Sequence, residues 1–451
     1  MPHTVSLVIP VFNGGAFLPS CLDHLSRSTA PYECIVVDDG STDDSAEIAR
    51  RFGIKVIPTG GRWGPARARN LGAKNAAGDI VFFIDSDVCV SPDTIERLLA
   101  HFDEDPNLDA LIGSYDDSPG AKDFLSQYRN LMHCYTHQRG RHQASTFWSG
   151  CGAIRKHVFY EYSGFDESYD RPAIEDIELG YRLKHNGKKL MLDPTLQVKH
   201  LKAWSFFNLV KTDVMDRGIP WTELILRDEC IPNDLNLQLS QRVSVVLAFL
   251  VVAVTMASAI LIGAPFLAPL FALLFLLLSR YEASTPFNLR FKSTLGVIVL
   301  LTAIVVLSWR SGNLWVAPPA FLAYGLIFFR HRYAYKLKGR SKVMRVASGV
   351  FLLLAIAFVI TCLPNHPLVF GLFAILITLI LLNSQFYLFL ARKRGRLFAL
   401  AAIPFNLMFH FYNGVSFAVG MAKHHLYARQ RRAKADLMAA ADKSAAASPR
   451  T

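Results

Sequence analysis

Short apolar runs alternate with polar, helix-like stretches over the first half of the chain. The runs VSLVIPV, ECIVV, IKVI and DIVFFI each stand before a turn or a stretch with amphipathic spacing. Strands that are apolar at nearly every position and are separated by helices are typical of a parallel sheet covered on both faces. The pattern therefore predicts an α/β domain with a mainly parallel sheet over residues 1–202.

The second half consists of long apolar runs separated by short cationic clusters. Two runs, at 243–263 and 266–279, are separated by a short turn and indicate a helical hairpin. Further runs lie at 294–309, 313–329, 346–363 and 367–390. Each run approaches the ~20 residues that a helix needs to span a bilayer. The pattern predicts an α-helical multi-span membrane domain of six to seven helices over 241–422.

Residues 203–240, which connect the two halves, mix aromatic, aliphatic and charged side chains. This composition suits an interfacial connecting segment at the membrane surface, and it also suits packing against the preceding domain. Close to the C-terminus, the strip FYLFLARKRGRLF places aromatic residues before cations. That order is typical of an interfacial helix that binds anionic headgroups.

The stretch 397–420 leaves the number of spans open. It contains four residues that are costly against lipid, Pro404, Asn406, His410 and Asn413. A seventh span would also place the basic residues that follow it outside the cell. We therefore favour a re-entrant or interfacial element here, and we expect residues 423–451 to form a basic, disordered cytoplasmic tail.

The charge distribution supports the same division. Residues 1–238 contain 25 Lys/Arg and 33 Asp/Glu, whereas the rest of the chain contains 23 Lys/Arg and three Asp/Glu. With the first half in the cytoplasm, six spans obey the positive-inside rule. We thus expect a multi-pass protein of the inner (plasma) membrane, in contact with membrane lipids. Because a membrane accounts for the basic clusters, nothing indicates nucleic-acid binding.

Acidic residues follow two of the predicted strands, in VDDGS at 37–41 and DSD at 85–87. In parallel sheets these strand ends meet at one edge, where ligands bind. Asp38 and Asp43 can also be explained as turn or helix-cap residues. Asp85 and Asp87 are harder to explain structurally, because two carboxylates at i and i+2 offer hard oxygen ligands for Mg²⁺ or Mn²⁺ on a diphosphate.

Six segments occur in the order and spacing of a known family. They are IPVFN, VVDDGSTDDS, GPARARNLGAKNAAGDIVFFIDSD, SGCGAIRK, GFDE and IEDIELGYRL. Over roughly residues 3–230, the chain resembles the family 2 glycosyltransferases of the GT-A fold. The resemblance implies a membrane-integrated bacterial enzyme of the hexosyltransferase type. Its donor would be a nucleotide-diphosphate sugar, with a UDP-sugar favoured, and its cofactor Mg²⁺ or Mn²⁺.

The resemblance also implies roles for residues on the donor side. The first two strand ends would contact the nucleobase and ribose. Asp87 would bind the metal directly, and Asp85 would share that metal or reach the ribose. His200 would supply a third metal ligand, although a lone histidine is often structural. The expected donor-binding residues are Pro10, Val11, Asn13, Asp38, Asp39, Arg67, Asn70 and Asp85.

Catalytic and acceptor-side residues follow from the same resemblance. Glu175 and Asp176 match the family's xED element, in which the aspartate is the general base of an inverting transfer. Both acids also begin a predicted helix, where they would favourably oppose its dipole. The acceptor-side loop corresponds to Gly150, Cys151 and Gly152.

The leading hypothesis is metal-dependent, inverting sugar transfer to a lipid or lipid-linked acceptor at the cytoplasmic face, in glycolipid or cell-wall biosynthesis. A processive polysaccharide synthase is less favoured, because RGIPW stands where such enzymes carry QxxRW. Arg217 and Trp221 of this segment are still expected on the acceptor side. A polyprenyl-phosphate sugar synthase is also less favoured, because DSDVCVSPDT lacks the glutamine-containing stretch typical of that class. The non-enzymatic alternative is a catalytically dead membrane scaffold or transporter.

Overall fold

The structure, a computed structural model, describes residues 3–229, 234–262 and 367–446. The spans predicted at 266–279, 294–309, 313–329 and 346–363 lie outside these residues. The described chain divides into two compact units. The first comprises residues 1–245 and 385–451, and the second comprises residues 246–384.

Eight strands of the first unit form a mixed sheet. They are β1 (Val5–Val11), β2 (Glu33–Asp38), β3 (Lys55–Pro58), β4 (Ile80–Ile84), β5 (Val88–Cys89), β6 (Ala110–Tyr115), β7 (Cys151–Arg155) and β8 (Leu190–His200). Their spatial order is β3-β2-β1-β4-β7-β6-β8-β5. The four strands predicted from the apolar runs are β1 to β4, and all of them pair in parallel.

The other half of the sheet departs from the mainly parallel arrangement that the sequence predicts. Strand β7 runs antiparallel to both β4 and β6, and β5 runs antiparallel to β8. An apolar run looks the same in the sequence whether its strand runs parallel or antiparallel to its neighbours, so the direction of β7 could not be predicted. The reversal of β7 matters for the site, because it places the start of β7 beside the end of β4.

Helices cover both faces of the sheet. They are α1 (Leu18–Leu25), α2 (Ser45–Arg51), α3 (Pro65–Asn75), α4 (Thr94–Glu104), α5 (Phe124–Gln138), α6 (Lys156–Glu161) and α7 (Glu175–His185). Alternate residues of β4 enter different cores: Phe82 packs in one apolar cluster and Phe83 in the other. A strand buried on both faces needs apolar side chains at every position, which explains the continuous run in the sequence.

The connecting segment 203–229 is helical. It contains α8 (Phe206–Lys211), a π-helical turn (Thr212–Gly218) and α9 (Ile219–Asp228). Leu224 and Ile225 of α9 pack with Ile174 and Tyr181, at and within α7. The segment therefore packs against the α/β domain, while Phe207 remains 72% exposed. Its location at a membrane surface stays a prediction.

Four further helices are described. They are α10 (Leu239–Ile262), α11 (Pro367–Leu382), α12 (Ser384–Arg394) and α13 (Arg396–Ala446). Within the described residues, one helix is long and apolar enough to cross a membrane, at Leu239–Ser258. The number becomes two if the bent pair Gly371–Leu382 and Ser384–Arg394 forms one span. The run predicted at 367–390 is thus two helices, which break at Asn383.

The stretch 397–420 belongs to one continuous helix, α13, which passes through Pro404. The helix extends to Ala446, where the sequence analysis expected a disordered tail from residue 423. Alanine, which is abundant in this tail, has the highest helix propensity of all residues and explains the difference. Arg394, the last residue of α12, contacts α5: its guanidinium donates to Gln127 Oε1 at 2.6 Å.

Candidate active site

The site lies at the edge where β1, β2 and β4 end. Strand β2 leads into Asp38 and Asp39, and β4 leads into Asp85 and Asp87. Ile84, the last residue of β4, is paired with Cys151, the first residue of β7. The loop before β7 therefore lies next to the DSD segment, although more than sixty residues separate them in the chain.

A buried arginine joins the two acidic motifs. Arg69 donates through Nη2 to Asp85 Oδ1 and through Nη1 to Glu175 Oε1, both at 2.8 Å. The side chains of Arg69 and Glu175 are only 6% and 5% exposed. Charge-assisted hydrogen bonds of this kind are strong and directional in a dry environment.

Arg69 was not among the site residues predicted from the sequence, although its position in α3 could have indicated it. Positions 66, 69, 72 and 73 fall on one face of α3, and the other three are Ala66, Gly72 and Ala73, all buried. An arginine on an otherwise small, apolar helix face predicts a buried guanidinium, and buried charges are almost always paired. The neighbouring candidate Arg67 lies on another face and is exposed, whereas Asn70 borders this face and is partly buried.

Glu175 is held in a fixed, buried position. Its Oε2 accepts a hydrogen bond from the Ala173 N–H at 2.9 Å, while Oε1 accepts from Arg69. Burial raises the pKa of Glu175, the Arg69 charge partly offsets that increase, and the nearby Asp176 adds to it. Of the two predicted catalytic acids, Glu175 is therefore the one engaged in the internal network.

Asp176 is only half-buried, at the beginning of α7. Its Oδ2 accepts hydrogen bonds from both the backbone N–H and the hydroxyl of Ser149, each at 3.0 Å. Ser149 precedes the acceptor-side loop that the sequence predicted. Its Oδ1 accepts from the Ile177 N–H at 2.8 Å. Because each carboxylate oxygen has two lone pairs, Oδ1 keeps acceptor capacity beyond these contacts.

Close packing explains the glycines of that loop. A Cβ on Gly150 would lie 2.7 Å from the ring of Trp148, and a Cβ on Gly152 would overlap the carbonyl oxygen of Trp148. Cys151 between them is fully buried and free. The predicted acceptor-side residues 150–152 thus serve the tight turn of the chain into β7.

Asp87 and His200 meet because β5 pairs with the end of β8. The register places Val88 opposite His200, and the His200 Nε2 lies 3.5 Å from Asp87 Oδ2. Burial by itself would raise the pKa of Asp87, but the His200 hydrogen bond and charge, together with Lys202, lower it below its ordinary value. The His200 ring stacks on Tyr115 with ring centroids 4.5 Å apart.

The side chains of Asp87 and His200 are of types that bind divalent cations. A carboxylate oxygen and an imidazole nitrogen are suitable ligands for Mn²⁺. Across residues 3–229, 234–262 and 367–446, no group of three or more His, Cys, Asp or Glu side chains is arranged to hold a metal ion. Asp85, the third ligand expected, has Oδ1 engaged by Arg69.

Asp38 and Asp39 organise the loops around the predicted donor side. The buried Asp39 carboxylate accepts from the Thr59 hydroxyl at 3.0 Å and from the N–H groups of Trp63 and Gly64 at 2.9 and 2.8 Å. Asp38 Oδ1 accepts from the Ser41 N–H at 3.0 Å, as a turn residue does. Asp38 thus makes the hydrogen bond of a turn residue, and its role in donor binding stays a prediction.

The β1 end is tied to the loop after β2. Asn13 has a positive φ of 51° and accepts from the Thr42 N–H at 2.8 Å through its side chain. Pro10 and Val11 are paired with Val37 and Asp38. These contacts bring residues 10–13 and 37–42 together, as the sequence predicted for a common donor-side edge.

Arg67 and Asn70 have different environments. Asn70 holds the GFDE segment: its Oδ1 accepts from the Phe165 N–H at 2.9 Å and its Nδ2 donates to the Phe165 carbonyl at 2.8 Å. The guanidinium of Arg67 is half-exposed and stacks 4.4 Å from the ring centroid of Trp63. Arg67 is thus available to a ligand, whereas Asn70 is engaged in loop structure.

The two acceptor-side residues of the connecting segment also differ. Trp221 donates to the Tyr181 hydroxyl at 3.0 Å and packs against the residues that begin α7. Arg217 is half-buried on the π-helical turn. Trp221 is thus engaged in packing, whereas the acceptor-side role of Arg217 stays a prediction.

The model of the family Glycosyl transferase family 2 matches residues 6–163. The chain is similar to glycosyltransferase GlyG of Streptococcus pneumoniae, with 36% identity over 27% of this chain and 42% of that protein. It is also 36% identical to 4,4'-diaponeurosporenoate glycosyltransferase of Staphylococcus haemolyticus, over 29% of this chain and 31% of that protein. The chain thus covers less than half the length of each of these relatives.

Among solved structures, the chain is similar to mannosyltransferase PcManGT from Pyrobaculum calidifontis in complex with GDP-Man and Mn²⁺. The identity is 17% and the TM-score is 0.42, over 70% of this chain and 86% of that one.

Proposed function

Because the chain contains a glycosyl transferase family 2 domain at residues 6–163, we propose that it transfers a sugar from a nucleotide-diphosphate sugar to a lipid or lipid-linked acceptor, with inversion. The reaction joins the acceptor oxygen to the anomeric carbon, breaks the bond from that carbon to the diphosphate, and moves the acceptor proton to a carboxylate. The observation on which this rests most is Arg69, which connects the DSD and ED motifs in one buried network.

Asp176 is the general base of this proposal. It is half-buried, it retains acceptor capacity, and the two hydrogen bonds from Ser149 hold its carboxylate in one orientation. Glu175 supports it indirectly, because Arg69 and the Ala173 N–H fix Glu175 one residue earlier on the same helix. A fixed base within reach of the acceptor hydroxyl lowers the entropic part of the barrier.

Asp87 and His200 would hold Mg²⁺ or Mn²⁺, and the remaining ligands would come from the donor phosphates and water. When bound, the cation would stabilise the negative charge of the departing nucleoside diphosphate. The chain's own contribution is to position these two ligands: the β5–β8 pairing fixes their separation, and the stacked Tyr115 ring fixes the plane of His200. Asp85, held by Arg69, would direct its second oxygen to the donor.

A membrane-associated acceptor is supported by the apolar helix at Leu239–Ser258 and by large apolar side chains exposed on α8 and α13. Phe207, one helical turn before Lys211, is 72% exposed, and Leu397, next to Arg396, is 78% exposed. Such surfaces suit the headgroup region of a bilayer. The catalytic edge would then lie at the cytoplasmic face of an inner membrane.

The test uses the full chain in lipid nanodiscs. A thermal-shift panel of UDP-, GDP- and dTDP-sugars with and without Mn²⁺ should identify one nucleotide whose stabilisation requires the metal. Asp87→Asn should abolish the metal-dependent stabilisation by that nucleotide. Asp116→Asn, which removes a partly buried carboxylate paired with Lys199, should retain it. Full turnover by folded Asp87→Asn at saturating Mn²⁺ would refute the proposal.

A further inference from the structure

The C-terminal helix α13 approaches the connecting segment closely enough to exclude larger side chains. Gly218 faces Ser416, and a Cβ on Gly218 would lie 2.6 Å from the Ser416 Cβ. Gly420 faces Thr222 in the same way, again at 2.6 Å. Small residues four apart on both partners allow two helices to touch along their backbones. Larger side chains at Gly218 or Gly420 would therefore force the two segments apart.

A buried charged network lies at the same contact. Asp213, on the π-helical turn, is 4% exposed. Its Oδ1 accepts from Arg129 of α5 at 2.7 Å, and its Oδ2 accepts from the Tyr412 hydroxyl of α13 at 2.6 Å. Each carboxylate oxygen thus has a donor from a different helix. The network joins α5, the π-helical turn and α13, although Tyr412 is 199 residues from Asp213.

The π-helical turn that this network holds also presents Arg217. Wide turns of this kind are uncommon and occur frequently at functional sites. Arg217 is half-buried and forms no ion pair within the described parts of the chain. A change in the turn would therefore displace this cation.

We infer that Tyr412 is a positioning residue: its hydroxyl, through Asp213, holds the π-helical turn so that Arg217 stays directed at the acceptor side. The C-terminal helix is then a part of the acceptor site and not only an anchor. The inference rests on the proposed function, since it assigns Tyr412 to acceptor positioning. Donor binding depends on the β1, β2 and β4 ends and does not involve this network.

The test compares Tyr412→Phe with a matched control, Tyr387→Phe. The control also removes a buried tyrosine hydroxyl, which bonds Asn406 Oδ1 at 2.9 Å on the same helix but does not touch the π-helical turn. Both full-length variants are placed in phosphatidylglycerol nanodiscs. Hydrogen exchange of the amides of 212–218 should be about five-fold or more faster in Tyr412→Phe, and unchanged in Tyr387→Phe.

Kinetics separate positioning from general loosening. With UDP-glucose or GDP-mannose as donor, and nanodiscs that contain diacylglycerol or undecaprenyl phosphate, Tyr412→Phe should raise the acceptor KM about ten-fold. The donor KM should stay within two-fold of the wild-type value. Because both residues act through one network, adding Tyr412→Phe to Asp213→Asn should cause little further change.

Three results are decisive. Unchanged exchange at 212–218 in Tyr412→Phe would overturn the inference, because the hydroxyl would then not hold the turn. A parallel increase in donor and acceptor KM would also overturn it in favour of a merely structural role. If wild-type protein transfers no sugar from any nucleotide sugar, the proposed function fails, and the acceptor role inferred here fails with it. Faster exchange would in that case establish only the contact between helix and turn.

Discussion

Replacing Arg69 by methionine tests the connection between the two acidic motifs most directly. Methionine replaces the aliphatic stem of arginine on the apolar face of α3, but it removes the guanidinium with both hydrogen bonds and the charge. Glu175, whose side chain is 5% exposed, then remains buried without its cationic partner. Asp85, which is 35% exposed, can still be solvated. Most of the cost should therefore come from Glu175.

The expected loss is about 3–5 kcal/mol at neutral pH, as for other buried pairs that lose one partner. A domain of this size loses roughly 2–4 °C in Tm for each kcal/mol, so Tm should fall by about 6 °C or more. Protonation of Glu175 limits the loss, because a neutral carboxyl is far cheaper to bury than a carboxylate.

The pH dependence has a definite sign. Burial already raises the pKa of Glu175 above its ordinary value of 4.5, against the opposing effect of Arg69. A carboxyl with a raised folded-state pKa contributes stability that is complete below the unfolded pKa and is lost as the pH rises through the folded pKa. Without Arg69 the pKa rises further. The deficit of Arg69→Met should thus be smallest near pH 4.5 and grow as the pH increases.

The measurement is thermal unfolding of the full chain between pH 4.5 and pH 8, with Arg155→Met as control. Arg155 is a half-buried arginine whose guanidinium donates to the backbone carbonyls of Leu108, Phe102 and Asp105. Its Nη1 also lies 3.2 Å from His3 Nε2, so His3→Gln is added to both variants, and the deficit of Arg155→Met should then change much less with pH than that of Arg69→Met. A deficit for Arg69→Met that does not change with pH, or that stays below about 1 kcal/mol at pH 8, would refute the reasoning.

Three smaller changes test other parts of the site. Ser149→Ala removes one of the three hydrogen bonds that the Asp176 carboxylate accepts, so kcat should fall about ten-fold while the donor Kd is unchanged in a nucleotide titration. An equal loss of donor affinity would contradict this. Asn70→Ala leaves the Phe165 N–H and carbonyl without partners and should cost about 1–3 kcal/mol in thermal unfolding, and a cost near zero would show that water replaces the amide. Gly72→Ala places a methyl against β1 and should cost about 1–3 kcal/mol, whereas unchanged stability would mean that the helix shifts freely.

Half of the sheet could be predicted from the sequence for a simple reason. Strands β1 to β4 are buried on both faces, so their apolar runs are visible without knowledge of their partners. Strands β6, β7 and β8 have their places set by long-range pairing, including an antiparallel insertion. No periodicity along the chain distinguishes a strand that runs forwards from one that runs backwards. The mixed sheet is therefore a tertiary result.

Local sequence determined which residue types stand at the ligand edge of this protein: the acids of DSD and ED, and the glycines before β7. It also explains the turn at Asp38, because a short polar side chain bonds the backbone a few residues away. Tertiary structure alone decided which of these groups meet. Arg69 bonds partners 16 and 106 residues away, and Tyr412 bonds one 199 residues away. Contacts at such separation depend on how strands and helices pack, and packing is not encoded in any short stretch of the chain.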